Sequence, residues 1–183
     1  MKTQHTQHNT NILGIIGSLW AVIGFSIVLL FAIVRLGTIS LDTLNYDMQW
    51  FHWLAVLFSI VFMAYAEGYK GFQLKFSPRF SARCAHLKNQ PTILHVILAP
   101  LFCMGFFHTT RTRKIVTFLI SFMILCFIEI AHLLPQPWRG VLDIGVVTGL
   151  IWGLTSLYYY LIRAFSSASF DHCAELPDSN KQP

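Results

Sequence analysis

Charged residues are scarce in this chain. They make up 11% of its 183 residues, whereas soluble domains carry about 25%. Apolar residues account for 55% of the sequence, and they collect in runs close to the ~20 residues that cross about 30 Å of hydrocarbon. The composition therefore disfavours a soluble domain and predicts an all-α integral membrane protein.

The chain also lacks the common motifs of catalysis and nucleotide binding. It contains no P-loop, no G-x-G-x-x-G, no H-E-x-x-H and no G-x-S-x-G. Its four cysteines show no C-x-x-C or metal-binding spacing, so we expect neither a disulfide framework nor a thiol redox pair. No reaction follows from these motifs, and the sequence does not identify a cofactor.

Four apolar runs predict membrane spans at about 12–34, 50–66, 115–134 and 141–162. A fifth segment, 92–107, is short for a span and contains Pro100. If this segment crosses, the Lys and Arg residues divide almost evenly between the two sides. If it dips in and returns, or lies on the surface, nearly all of them fall on one side, as the positive-inside tendency prefers. We therefore expect four spans plus one short re-entrant helix, with a fifth span as the alternative.

This topology places both termini in the cytoplasm and favours a bacterial inner membrane. Residues 1–11 are predicted to form a polar tail, 12–163 the membrane domain and 164–183 a disordered tail. The first apolar run is longer than a signal-peptide core and no A-x-A site follows it, so we interpret it as a retained anchor.

A basic, aromatic-rich stretch follows the second run. Its cations predict contact with anionic lipid headgroups rather than with nucleic acid, because a span adjoins them: Lys70, Lys75, Arg79 and Arg83. Glu67 precedes this stretch at the predicted inner boundary of the span. An i, i+3 ion pair with Lys70 is the ordinary expectation for it, and a proton relay is the alternative.

Gly145, Gly149 and Gly153 recur every four residues of the last run and share one helix face. Small residues at this spacing allow close approach of membrane helices. The face predicts either docking to a partner subunit or second copy, or packing inside the chain, for instance beside Gly17 and Gly24.

Glu129 and His132 stand three residues apart in the third run, the E-x-x-H spacing of carboxylate-bridged metal sites. His52 is expected at the same depth, so the three residues form a candidate metal site. A complete di-metal site needs a second E-x-x-H, which the chain lacks. The alternative is an interfacial hydrogen-bonded network that includes Arg139 and Asp143.

The histidines also raise the possibility of haem. The residues His52-Trp53-Leu54, Gly71-Phe72, Pro78-Arg79, Pro91 and His95-Val96 resemble the first helical pair of the small bacterial di-haem cytochrome b membrane oxidoreductases. That resemblance implies further haem ligands from the last helix, and residues 141–162 contain no histidine. It therefore predicts no di-haem site, and one haem or metal between His52 and His132 stays open.

The function that these patterns favour is a non-catalytic subunit, scaffold or assembly factor of a membrane complex. It would dock through the glycine face and rest on anionic lipid through the basic stretch. The alternatives are a membrane-embedded redox or metal enzyme that uses His52, Glu129 and His132, and a small transporter in which Glu129 serves as the main polar group.

Overall fold

The computed structural model describes the backbone of residues 2–166 and the side chains of residues 12–112 and 114–166. All regular structure in this part of the chain is helical, in agreement with the predicted class. The predicted disordered tail lies outside the described residues from 167 onward. The helices, in chain order, are α1 (Lys2–Asp42), α2 (Trp50–Met63), α3 (Ser77–Asn89), α4 (Ile93–Ile97), α5 (Ala99–Met104), α6 (Arg111–Leu133) and α7 (Trp138–Ser166).

Four helical stretches are long and apolar enough to cross a membrane: Ile12–Asn45, Trp50–Asn89, Lys114–Leu133 and Trp138–Ser166. Each overlaps one of the predicted spans. The second is far longer than predicted, because a π-helical segment, Ala64–Phe76, joins α2 to α3 in one 40-residue rod. Pro78 does not break this rod, since it lies in the first turn of α3, where proline is tolerated.

The four long stretches alternate in direction between two ends of the bundle. At one end, which we call the basic end, Lys88 at the close of α3 has its Nζ 5.1 Å from the centre of the Phe165 ring. Gly14 of α1 meets the backbone carbonyl of Lys88 there. At the other, the tryptophan end, the Thr43 hydroxyl lies 2.9 Å from Gln136 Oε1. The described ends of α1 and α7 therefore lie at the same end of the bundle.

Residues 92–107 dip along α1 and turn back. A Cβ at Gly17 would lie 3.0 Å from Val96 of α4, and one at Gly24 would lie 3.1 Å from Pro100 of α5. The segment thus advances over seven residues of α1, about 10 Å of helix. Gly105 then reverses the chain with a left-handed backbone, φ 87°. His108 returns to the starting level, with its ring centre 4.7 Å from that of His95.

The best-packed core lies toward the basic end, where α1, α3, α5 and α7 meet. Phe80, Phe102 and Leu157 have no exposed surface there, and the Phe25 ring lies 5.1 Å from that of Phe80. This core fixes the re-entrant segment against the long helices and so positions the polar groups described below.

Helix α6 stands apart from this core. Of the residues in its most apolar 18-residue window, 6% are buried, against 44% for the corresponding window of α7. Among the α6 side chains that the structure describes, Ala131 alone is buried. Near its start the Phe118 ring packs edge-on against Phe106. Two prolines, Pro135 and Pro137, follow its last residue and account for its end.

Candidate functional site

The three predicted metal ligands share the tryptophan end but do not form a metal site. His52 is 7% exposed, its Nδ1 accepts the backbone N–H of Gln49 at 3.1 Å, and its ring lies 5.1 Å from that of Trp138. It thus caps the start of α2 and packs against α7. Glu129 and His132 are both exposed on α6. Over the described residues, no group of three His, Cys, Asp or Glu side chains could hold a metal ion.

An ion pair within α7 occupies this end instead. Arg139 Nε lies 3.8 Å from Asp143 Oδ2 one turn along α7. Asp143 is 3% exposed, and His132 is close enough for its charge to act on this carboxylate. Arg139 and Asp143 therefore pair within α7, and Asp143 Oδ2 has no hydrogen-bond partner among the described residues. The predicted hydrogen-bonded network between the helix ends stays a prediction.

The glycine face of α7 packs inside the chain, against α2 and the π-helical segment. A Cβ at Gly145 would meet Ser59, one at Gly149 would lie 3.0 Å from Glu67 Oε2, and one at Gly153 would lie 2.5 Å from the Phe72 ring. Gly17 and Gly24, the predicted partners of this face, contact the re-entrant segment instead. The glycine face is therefore occupied within the chain, and docking has to use another surface.

Glu67 occupies a different environment from the predicted one. The predicted ion pair with Lys70 is absent, because the Lys70 ammonium lies 4.9 Å over the ring of Tyr65. Across the described residues, no hydrogen bond or ion pair reaches the Glu67 carboxylate. Gly149 of α7 faces this carboxylate. At 1.5 Å per residue, Gly149 lies about 12 Å from one edge of the apolar run 141–162 and about 20 Å from the other. Glu67 therefore faces the apolar run of α7, on a helix that continues beyond Ala66.

Arg83 also departs from the prediction that the basic stretch contacts lipid. It is 3% exposed, and its Nη1 donates to the carbonyl of Phe102 at 2.8 Å. Its Nη2 lies 3.4 Å from the carbonyl of His108. Arg83 therefore ties the returning loop to α3, and the position of that loop explains its burial. Lys70 and Lys75 remain exposed, as lipid contact requires, and Arg79 is half-buried.

Histidines gather around Arg83 at the basic end. The His95 ring stacks 4.5 Å from Phe102 and 4.7 Å from His108, whose backbone is left-handed at φ 51°. Burial lowers the pKa of His95 below its ordinary 6.5, and the nearby charges of His108, His86 and Arg83 lower it further. The folded state therefore favours neutral His95.

We expect acidification to loosen the re-entrant segment. Because the folded pKa of His95 is depressed, the unfolded chain binds the proton first as pH falls through about 6.5. The stability that neutral His95 contributes is present above this pH and is lost below it. Hydrogen exchange of the α4 and α5 amides at a series of pH values measures the effect. His95→Phe, which keeps the stacking on Phe102, should flatten the pH dependence. An unchanged pH profile in that variant would contradict this origin.

Two cysteines meet in the core although no motif predicted it. The Cys84 thiol points to the sulfur of Cys103 at 3.4 Å, and both side chains are buried. They come from α3 and α5 and are 19 residues apart, a spacing that matches no redox motif. The packing of the re-entrant segment against α3 brings them together, so sequence spacing held no signal for this contact.

An open groove runs along α7 beside the π-helical segment. It has a volume of about 610 Å³, and Trp152 on its wall donates a hydrogen bond from Nε1 to Gln73 Oε1 at 2.8 Å. Hydroxyl groups follow one face of α7 along it. The residues that line it include Thr148, Thr155, Ser156 and Tyr159.

Comparison with protein-family models, with curated proteins and with solved structures found no match to this chain.

Proposed function

We propose that this chain is a non-catalytic integral membrane subunit or scaffold that docks on another polypeptide through α6. The supporting observation is that nearly all the described side chains of this helix are exposed. Membrane helices associate through close packing, and α6 has few packing contacts within its own chain. A partner helix that packs along α6 would supply these contacts.

The exposed face of α6 includes large apolar side chains over its full length. Ile115 is 67% exposed, Phe122 64% and Leu125 61%. Glu129 and His132 lie toward the tryptophan end of the same helix and add polar groups to which a partner can bond. An ionisable group in an apolar segment is costly without such a partner.

The basic end supports a cytoplasmic placement by the positive-inside tendency. Exposed cations at the start of α6, Arg111 and Lys114, add to Lys75 on the long rod. In this proposal they rest on anionic headgroups of a bacterial inner membrane, with the ends of α1 and α7 on the same side. The alternative redox or metal function receives less support, because His52, Glu129 and His132 do not converge.

Photo-crosslinking in intact membranes tests the docking proposal. Phe122 is replaced by p-benzoylphenylalanine, which forms adducts with whatever lies beside it. We expect a covalent adduct with a second polypeptide, and its mass distinguishes another subunit from a second copy. Phe31 of α1 provides a matched control, since it is 66% exposed against 64% for Phe122. At Phe31 we expect lipid adducts only.

Equal polypeptide adducts at both positions, or none at Phe122, would contradict docking through α6. Extraction of the membranes with alkaline carbonate tests the membrane assignment separately. The chain should stay in the membrane pellet, and its release would overturn the integral assignment itself.

A further inference from the structure

The π-helical segment holds a carboxyl group that the proposed docking function does not use. We propose that Glu67 is a proton-binding site inside the membrane domain, which takes up a proton from the basic end and releases it again. This inference depends on the membrane assignment made above and not on docking through α6.

The first argument is the position of the carboxyl group. Glu67 is half-buried and faces Gly149, near the middle of the apolar part of α7. A Cβ at 149 would press on it, at 3.0 Å from Oε2 and 3.1 Å from the Glu67 Cβ. The glycine therefore makes the space in which the carboxyl group lies.

The second argument is that, among the described residues, this carboxyl group has no hydrogen-bond or ion-pair partner. Lys70 is the nearest cation along its own helix, and its ammonium is directed to Tyr65. Asp143 lies on α7 between Gly149 and the tryptophan end. The helix rise between Asp143 and Gly149 is about 9 Å. The amide oxygen of Gln73 is occupied by Trp152. A carboxylate without a partner in apolar surroundings is costly, and a bound proton removes that cost.

The third argument is the backbone around it. A π-helix of 13 residues is unusual, since such turns mostly occur singly and often at functional sites. At its C-terminal end, the backbone N–H of Ser77 donates a hydrogen bond to the carbonyl of Phe72, five residues back. The wider winding brings Gly68 against Trp152 and Phe72 against Gly153. Both contacts lie on the side of Glu67 toward the basic end and hold it on α7.

A route for the proton begins beside this position. Thr148 precedes Gly149 in the chain, and Trp152 packs on Gly68, the residue after Glu67. Both residues line the open groove, along which Thr155 and Tyr159 continue toward the basic end. Thr148, Thr155 and Tyr159 are spaced by seven and four residues, so they lie on one helix face. The Thr148 and Thr155 hydroxyls donate to the carbonyls of Ile144 and Ile151, so their oxygens can accept hydrogen bonds from water. Water held in the groove in this way can exchange a proton between Glu67 and bulk solvent.

Carbodiimide labelling of the full chain in liposomes tests this assignment. Dicyclohexylcarbodiimide is apolar and adds to protonated carboxyl groups, and mass spectrometry locates the adduct. We expect labelling at Glu67, abolished by Glu67→Gln and retained in Glu129→Gln, the matched change on exposed α6. Beyond the midpoint of its titration, labelling should fall about tenfold for each unit of pH increase, as the protonated fraction does.

Two results would overturn the proposal. Absence of label at Glu67 at every pH would show that the group is not protonated in an apolar environment. Protection of Glu67 by Na⁺ or K⁺ at constant pH and ionic strength would make it a cation site instead. Because the liposomes contain only this chain, either result leaves the docking proposal intact. Failure of the Phe122 crosslink would likewise leave the labelling result unaffected.

Discussion

Gly145→Ala is expected to destabilise the bundle by about 1–3 kcal/mol, the usual cost of overpacking a well-filled contact. The added Cβ would meet the Ser59 hydroxyl. It would also lie 2.8 Å from the backbone carbonyl oxygen of Ser59, which cannot rotate away as a side chain can. Helices α2 and α7 would have to separate along the whole contact. Unfolding by sodium dodecyl sulfate in mild-detergent micelles, followed by circular dichroism, measures the loss.

The chain contains a matched control for this substitution. A Cβ at Gly37 of α1 would meet nothing within 4 Å. Gly37→Ala should therefore raise stability by about 0.5–1 kcal/mol, because alanine loses less backbone entropy than glycine in a helix. The same chemical change thus has opposite signs at the two positions. Equal shifts for the two variants would show that α2 and α7 are not in close contact.

Arg83→Met is expected to release the re-entrant segment. The guanidinium donates to the carbonyls of Phe102 and His108, and a charge-assisted hydrogen bond contributes about 1.5–3 kcal/mol. Methionine keeps much of the side-chain volume but leaves these buried acceptors without that donor. His108 also has a left-handed backbone that only its surroundings maintain, so the loop should relax once Arg83 is gone.

Hydrogen exchange of the amides in residues 102–110 measures this release. A loss of 1.5–3 kcal/mol corresponds to roughly tenfold to hundredfold faster exchange. Lys75→Met removes the same charge from an exposed side chain and should leave these rates unchanged. Arg83→Lys should recover only part of the protection, since an ammonium cannot bridge two carbonyls as the planar fork does. Equal protection in wild type and Arg83→Met would refute the tethering role.

Several features of this fold could be predicted from the sequence because they depend on local composition. Runs of about 20 apolar residues form helices wherever the backbone must satisfy its own hydrogen bonds. Pro135 and Pro137 set the end of α6. The short segment 92–107 with its central Pro100 could not form a long helix, and the distribution of Lys and Arg favoured its return over a crossing.

The same local information did not show how far the second helix extends. The polar residues after Ala66 predict an exit from the membrane there, and the helix itself continues to Asn89. Gly68 was the available signal for the packing of this extension, since a glycine inside a helix often marks a close approach, and it lies against Trp152 of α7.

The sequence by itself determined the helical class, the four long apolar stretches and the segment that cannot span. The tertiary structure alone decided which groups meet: Glu67 with Gly149, Arg83 with the returning loop, and Cys84 with Cys103. It also decided that the glycine face is filled by its own chain and that α6 remains uncovered. The physical reason is the range of the interactions, since helix formation depends on neighbours along the chain. Partners across the bundle depend on how each helix is rotated and shifted, which apolar runs of similar composition leave undetermined.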